Sequence, residues 1–160
     1  MLVNPSNEVG TRLVNEELAK TAKVLSVNMT VFQARATADL EIAFAAMSRQ
    51  QIGALVVHED PMLNANSRTL AELATKHRIP SCAFPELARV GGVLAYGINF
   101  PEMERHAAIF VDKILKGAKP GDLPVERATK FTLIANLRAA RTIGVELPTS
   151  VLLRADEVIE

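Results

Sequence analysis

Short apolar runs and segments with helical spacing take turns along this chain, and that alternation constrains its fold more than any other feature. Leu2-Val3-Asn4 is an apolar run closed by Asn-Pro, and the segment from Asn7 to Leu25 then places Val14, Leu18 and Leu25 on one helical face. Val27 to Ala36 alternates, with Val27, Met29 and Val31 set against Asn28 and Thr30, which predicts a strand. Thr37 is placed to cap a helix whose Leu40, Ala43, Phe44 and Met47 follow the i, i+3, i+4, i+7 rule. Gly53 to Val57 is a continuous apolar run, as expected of a strand covered on both faces, and His58-Glu59-Asp60-Pro61 breaks it.

The pattern continues. Leu63 to Arg78 reads as a helix through Leu70, Leu73, Ala74 and His77, with cationic residues in its last turn, where they meet the helix dipole favourably. Ile79 to Ala83 reads as a short strand, Pro85 to Arg89 as a helical turn, Gly91-Gly92 as a tight turn, and Val93 to Gly97 as the next strand. Pro101 opens a long helix with Met103, Ala107, Phe110 and Ile114 on its apolar face, ended by Lys116-Gly117. A Pro/Gly-rich connector from Ala118 to Glu126 leads to a strand at Phe131 to Ile134 and a helix capped by Asn136 and stopped at Gly144; the tail from Leu147 to Glu160 is expected to be partly helical. Strands alternating with helices imply an α/β fold: a Rossmann-like three-layer sandwich with a mainly parallel sheet and ligands bound beyond the carboxyl ends of its strands.

Composition agrees with buried parallel strands. Of 160 residues 49% are hydrophobic, with no Trp, one Tyr and six Phe, so aliphatic side chains supply the core. At this length a single domain buries roughly 68–70% of the surface its unfolded chain exposes. Lys plus Arg equals Asp plus Glu at 18 each, and no basic residues interleave with aromatics, so nucleic acid and anionic membranes are not expected partners. The single cysteine, Cys82, has no partner for an internal disulfide and lies in a short apolar stretch. Met1 to Pro5 shows neither a basic n-region nor a long apolar stretch, so the chain as written is expected to be cytoplasmic.

The polar residues that follow the predicted strands are the candidate chemistry. Asn4, Ser6, Asn7, Asp60, Asn64, Tyr96 and Asn99 offer amides, one carboxylate able to hold an ammonium or hydroxyl, and one ring for stacking. That is a set for recognition rather than reaction, although Asn and Asp also favour turns and caps for purely local reasons. Adjacent residues such as His58, Glu59 and Asp60 alternate direction at a strand end, so they are not expected to converge on a metal. Cys82 and His77 lie five residues apart across a helix–strand boundary with no third orienting group, and Gly91-Gly92 precedes a strand rather than opening a helix, which is wrong for a phosphate loop. No catalytic residue, metal or cofactor is expected.

Several stretches resemble one family, the substrate-binding proteins of ABC transporters with the type I periplasmic fold, in a branch linked to aromatic amino acids. They are Leu2-Val3-Asn4-Pro5-Ser6-Asn7, Gly53 to Val57 running into Asp60-Pro61, His77 to Pro80, and Gly91 to Gly97 leading to Asn99. The match extends through Val111 to Glu126, with its Lys-Gly connector and Leu-Pro-Val-Glu, and on to Leu153 to Ile159. The resemblance implies two Rossmann-like lobes closing on a ligand, of which this chain matches the C-terminal half: a second-lobe domain at 1–97, a crossover helix and connector at 98–128 that pack on the other lobe, and a return segment at 129–160. It implies a solute receptor for a small polar molecule such as an amino acid, with Asn4, Ser6, Asp60, Asn64, Tyr96 and Asn99 facing the ligand. His58 and Glu59 depart from the apolar or small residues of the pattern.

Further expectations follow from the same resemblance. The family works outside the cytoplasm or anchored to the membrane and docks on a transporter permease, and one lobe alone binds weakly, because closure needs both lobes on one ligand. A bare face on the helix from Pro101 to Lys116 exposes side chains worth about 1.5–3 kcal/mol each when buried, which favours a homodimer. Two other readings share the fold: the effector-sensing domain of a transcription regulator, which needs a DNA-binding head, and a small flavodoxin-like enzyme domain, which needs an activated nucleophile or phosphate loop.

Overall fold

The computed structural model describes residues 1–160. The elements, in order, are β1 (Leu2–Val3), α1 (Glu8–Val24), β2 (Phe32–Gln33), α2 (Thr37–Arg49), β3 (Leu55–Val56), α3 (Pro61–Ala65), α4 (Ser67–Lys76) and β4 (Ser81–Ala83). They continue with α5 (Pro85–Arg89), β5 (Leu94–Ile98), α6 (Phe100–Leu115), β6 (Phe131–Asn136), α7 (Leu137–Ile143), α8 (Thr149–Leu152) and β7 (Glu157–Ile159). The expected α/β fold with a mostly parallel sheet is what forms.

Strands β3 to β7 pair in sequence order, parallel throughout except for the antiparallel β5–β6 pair. A parallel bridge between Leu2 and Val57, with the His58 N–H donating to the Leu2 carbonyl at 3.0 Å, attaches the β1–β2 pair beside β3. The chain therefore starts inside the sheet, steps out to β2 on one side and returns to β3 on the other. Strand order reverses between β1 and β3, and at such a reversal adjacent loops diverge and leave a crevice at the carboxyl ends of the strands.

One core dominates. Leu40, Phe44 and Met47 of α2, Leu70 and Leu73 of α4 and Leu87 of α5 close over Leu2 and Leu55, and Ala88 of α5 packs on Ala95 and Ile134. The Leu87–Gly92 turn is tight: a Cβ at Gly92 would lie 3.0 Å from the Leu87 carbonyl oxygen, so only glycine fits. Gly144, at φ +77°, ends α7 in the left-handed cap its position predicts.

Four local expectations are corrected. The strand in Val27 to Ala36 shrinks to Phe32–Gln33 with its phase reversed, because Phe32 and Ala34 are the residues that turn inward while Val27 and Val31 are exposed. Thr37 is the first helical residue rather than the cap. The Asp39 carboxylate accepts from the Arg35 and Ala36 N–H groups, and the Thr37 hydroxyl donates to Asn66. The β3 run is covered on one face only, with Leu55 and Val57 buried and Val56 between them 44% exposed. Leu63 to Arg78 is broken at Asn66 into α3 and α4. The tail is partly helical as expected, at α8, and it also carries β7, which joins the sheet edge beside β6.

Candidate functional site

The reversal between β1 and β3 brings three of the expected residues into one hydrogen-bonded cluster. Asn4 leaves β1 buried, its side-chain oxygen accepting from the Ser6 N–H at 3.0 Å, which bends the Pro5-Ser6 loop back on itself. Asn7 caps α1, accepting from the Gly10 N–H at 3.1 Å. Both asparagines also reach across the sheet: Asn4 Nδ2 donates to Asp60 Oδ1 at 3.0 Å, and Asn7 Nδ2 donates to Asp60 Oδ2 at 3.2 Å. Asp60, 3% exposed, is in turn the N-cap of α3, its Oδ1 accepting from the Met62 and Leu63 N–H groups at 3.0 and 3.4 Å.

Burial works against the Asp60 carboxylate, but the donors from Asn4, Asn7, Leu63 and Met62 outweigh it and hold its pKa below the ordinary carboxylate value. Oδ1 is saturated by three donors. Oδ2 has one and, with two lone pairs on each carboxylate oxygen, keeps an acceptor position. Its neighbours diverge as a strand end dictates: Asp60 turns inward while Glu59 is exposed. Burial, opposed by the charge of Asp60, lowers the pKa of the half-buried His58; burial and then the charge of Glu86 raise that of Glu59. Burial likewise pushes the Cys82 thiol up, which disfavours the thiolate.

No side chain of the other expected residues bonds to this cluster; only the backbone N–H groups of Ser6 and Asn64 meet it, donating to Asn4 Oδ1 at 3.0 Å and to the Asp60 carbonyl at 2.8 Å. The Asn64 side chain is half-buried on α3, and its carbonyl accepts from the Ser67 hydroxyl. Tyr96 projects from β5, 61% exposed, with its ring stacked on Phe131 of β6 at 5.6 Å and an interplanar angle of 15°. Asn99 caps α6 by accepting from the Glu102 N–H at 3.1 Å and donates to the Thr132 hydroxyl at 3.3 Å. Ser6 is exposed at the lip of the first loop. Because β1, β3 and β5 run parallel, Asn4, Asp60 and Asn99 all leave the same edge of the sheet.

Sequence reasoning missed Phe131. Its apolar run marked a strand, but only the antiparallel β5–β6 register places it diagonally beside Tyr96. It also missed a groove of about 700 Å³ between α6 and the segment before β6, lined by Asn99, Met103, His106, Phe110, Glu126 and Lys130 among others. Asn99 is the only expected residue in it, and it lies away from the Asn4–Asp60 cluster. No group of three or more His, Cys, Asp or Glu side chains gathers in a metal-binding arrangement.

Comparison with known proteins follows this geometry. The family model described as ABC transporter substrate binding protein matches residues 1–159. No curated protein matches the sequence. Among solved structures, a conserved domain protein from Vibrio cholerae is similar at a TM-score of 0.86 with 23% identity, over 98% of this chain and 53% of its own. The ABC domain in complex with L-Trp from Streptococcus pneumonia gives a TM-score of 0.86 and 23% identity, over 99% and 53%. A ligand-free, open substrate binding protein with adhesive properties from Clostridium difficile gives 0.69 and 19%, over 99% and 52%. The chain thus spans about half the length of the solved structures it matches, and at these identities the likeness is one of fold.

Proposed function

The chain belongs to the ABC transporter substrate-binding protein family, and from that premise we propose that it forms one lobe of a solute receptor that recognises a small polar organic molecule, such as an amino acid, without transforming it. The observation that carries this reading is the junction of Asn4, Asn7 and Asp60 at the strand-order reversal, where an open α/β sheet holds its ligands. In this reading Asp60 Oδ2 is the acceptor for a ligand ammonium or hydroxyl, Asn4 and Ser6 supply the neighbouring polar groups, and Asn64 and Asn99 flank them. Tyr96, stacked on Phe131, is the apolar platform. The L-Trp held by the Streptococcus relative supports an amino acid as the ligand class and a ring as part of it.

The division into 1–97, 98–128 and 129–160 takes a functional meaning here: the first and last parts build the sheet, and the middle part is an arm that engages a neighbouring surface. As a receptor the molecule works outside the cytoplasm, delivers its ligand to a transporter permease, and has no catalytic role. No helix is long and apolar enough to cross a membrane.

The test is a thermal-shift screen against the amino acids, with Tyr96→Ala beside the parent chain. A ligand at one hundred times its dissociation constant adds about 2.7 kcal/mol to stability. The expected result is a rise in melting temperature with an aromatic amino acid that Tyr96→Ala abolishes, while the free variant melts like the parent. A hit that Tyr96→Ala and Asp60→Asn both leave intact would move the site elsewhere.

A further inference from the structure

Two residues at the start of α1, Gly10 and Thr11, fasten the loop that carries Asn4 and Asn7. Thr11 is the one buried residue of that helix. Its hydroxyl donates to the Asn4 carbonyl at 2.7 Å and its N–H to the Asn7 carbonyl at 2.9 Å, while the Asn7 N–H donates to the Asn4 carbonyl at 3.1 Å. One residue thus locks the turn at both of its asparagines. Gly10 acts through the side chain it lacks. Its N–H supplies the bond that the Asn7 side-chain oxygen accepts, and a Cβ on it would lie 2.9 Å from both Asn7 Oδ1 and Asn7 Nδ2, the latter being the atom that reaches Asp60 Oδ2. Any larger residue therefore pushes the Asn7 amide from its place. Glycine is otherwise a poor helix former, so the helix itself does not account for it. These contacts lie within the chain's own loop and hold whatever covers the outer face of α1.

Resting on the reading of Asp60 Oδ2 as the acceptor for a ligand ammonium or hydroxyl, we propose that Gly10 and Thr11 are positioning residues of the receptor site, which hold Asn4 and Asn7 on the two oxygens of Asp60 and so fix the direction of the free acceptor on Oδ2. With Asn4 on Oδ1 and Asn7 on Oδ2, the plane of the carboxylate is set from both sides; without Asn7, only Oδ1 is held. A group already ordered in its binding orientation costs less to engage than one that must be ordered as the ligand arrives. Neither Gly10 nor Thr11 has to touch the ligand for this.

The test uses the whole chain and three variants: Gly10→Ala; Thr11→Val, which keeps the β-branched shape without the hydroxyl; and Thr11→Ser, which keeps the hydroxyl. Two quantities are measured in each, the acid titration of the Asp60 side chain by carboxyl-carbon NMR and calorimetric binding of L-phenylalanine as the probe. Donors lost from Asp60 move its titration up toward the ordinary carboxylate value. The titratable groups nearby, His58 and Glu59 on the same strand end and Glu86 beside Glu59, are common to every variant. The expected result is an upward move in Gly10→Ala and Thr11→Val with binding weaker by about tenfold, the order of one hydrogen bond, and parent behaviour in Thr11→Ser. Melting is expected to change little. In Thr11→Val the Asn4 carbonyl keeps the Asn7 N–H, and in Gly10→Ala the better helix former offsets the weakened cap. The two act through different atoms, so either decides if the other fails to fold. An unmoved Asp60 titration overturns the positioning role, as does a Thr11→Ser that behaves like Thr11→Val, or a moved titration with unchanged affinity. A parent that binds no amino acid overturns the receptor reading and the ligand half of this role with it; the titration separates that failure from a failure of Gly10 and Thr11 to hold Asp60.

Discussion

Helices α4 and α6 are both amphipathic, and they end in opposite situations. In α4, ten residues long, Ser67, Leu70, Ala71, Leu73 and Ala74 are buried; in α6, six residues longer, none is. The partners of α4 are supplied within this chain by α2 and α5, whose Phe44 and Leu87 share its core. The stripe on α6 meets only the open groove whose other wall is residues 126–130, and none of it is buried. An amphipathic pattern therefore records that a helix needs a partner surface, and it is silent on where that surface lies.

The largest expected effect sets the two stripes against each other directly. Leu70→Ala in α4 leaves a cavity in the main core and is expected to destabilise the chain by about 2–5 kcal/mol, whereas Ile114→Ala in α6 is expected to stay within about 0.5 kcal/mol. Urea denaturation of both variants measures this; equal losses would mean that α6 packs on the sheet in solution.

Next comes Asp60, which ties the α3 cap to two loops. Asp60→Ala removes the cap and strips Asn4 and Asn7 of their acceptor, an expected loss of about 2–3 kcal/mol. The sign of its pH dependence follows from its lowered pKa. Asp60 contributes stability above the unfolded carboxylate value of about 3.9, and that contribution is lost as pH falls through the folded value. The parent should weaken steeply in acid, and the variant should show a flatter acid limb in a series of melts.

The smallest effect compares two glycines. Gly144 and Gly117, at φ +77° and +101°, end α7 and α6 respectively. Alanine strains either position by about 1 kcal/mol. At Gly144 this should appear in global melting, because Ala139, Ala140 and Ile143 bind α7 to the core. At Gly117 it should appear only as faster amide exchange at the end of α6.

These differences also explain what the sequence could and could not disclose. The stripe of Leu40, Ala43, Phe44 and Met47 was legible because four buried residues repeat at the helical period with one partner surface. Strand β2 was misread because two ordered residues are too few to establish a phase, and Val27 to Val31 imitates alternation in an exposed segment. In the site, Asn4, Asn7 and Asp60 were recognisable as residue types at strand ends. Their mutual bonds were not, since residues 53 and 56 positions apart meet only through the strand order. Phe131 was hidden for the same reason, its partner being set by register across the β5–β6 pair.

That pair has one more consequence. The Asn99 N–H donates to the Lys130 carbonyl at 3.2 Å, so residues 99–130 leave the sheet and re-enter it at one point. Everything between is an excursion whose ends are already pinned side by side. Doubling the length of such a loop costs only about 0.6 kcal/mol of closure entropy, so the arm can be lengthened, exchanged or given a new partner while the register of β5 and β6 stays as it is. In mechanical terms the sheet and the arm are separable parts: the first is held by packing, and the second by its two pinned ends.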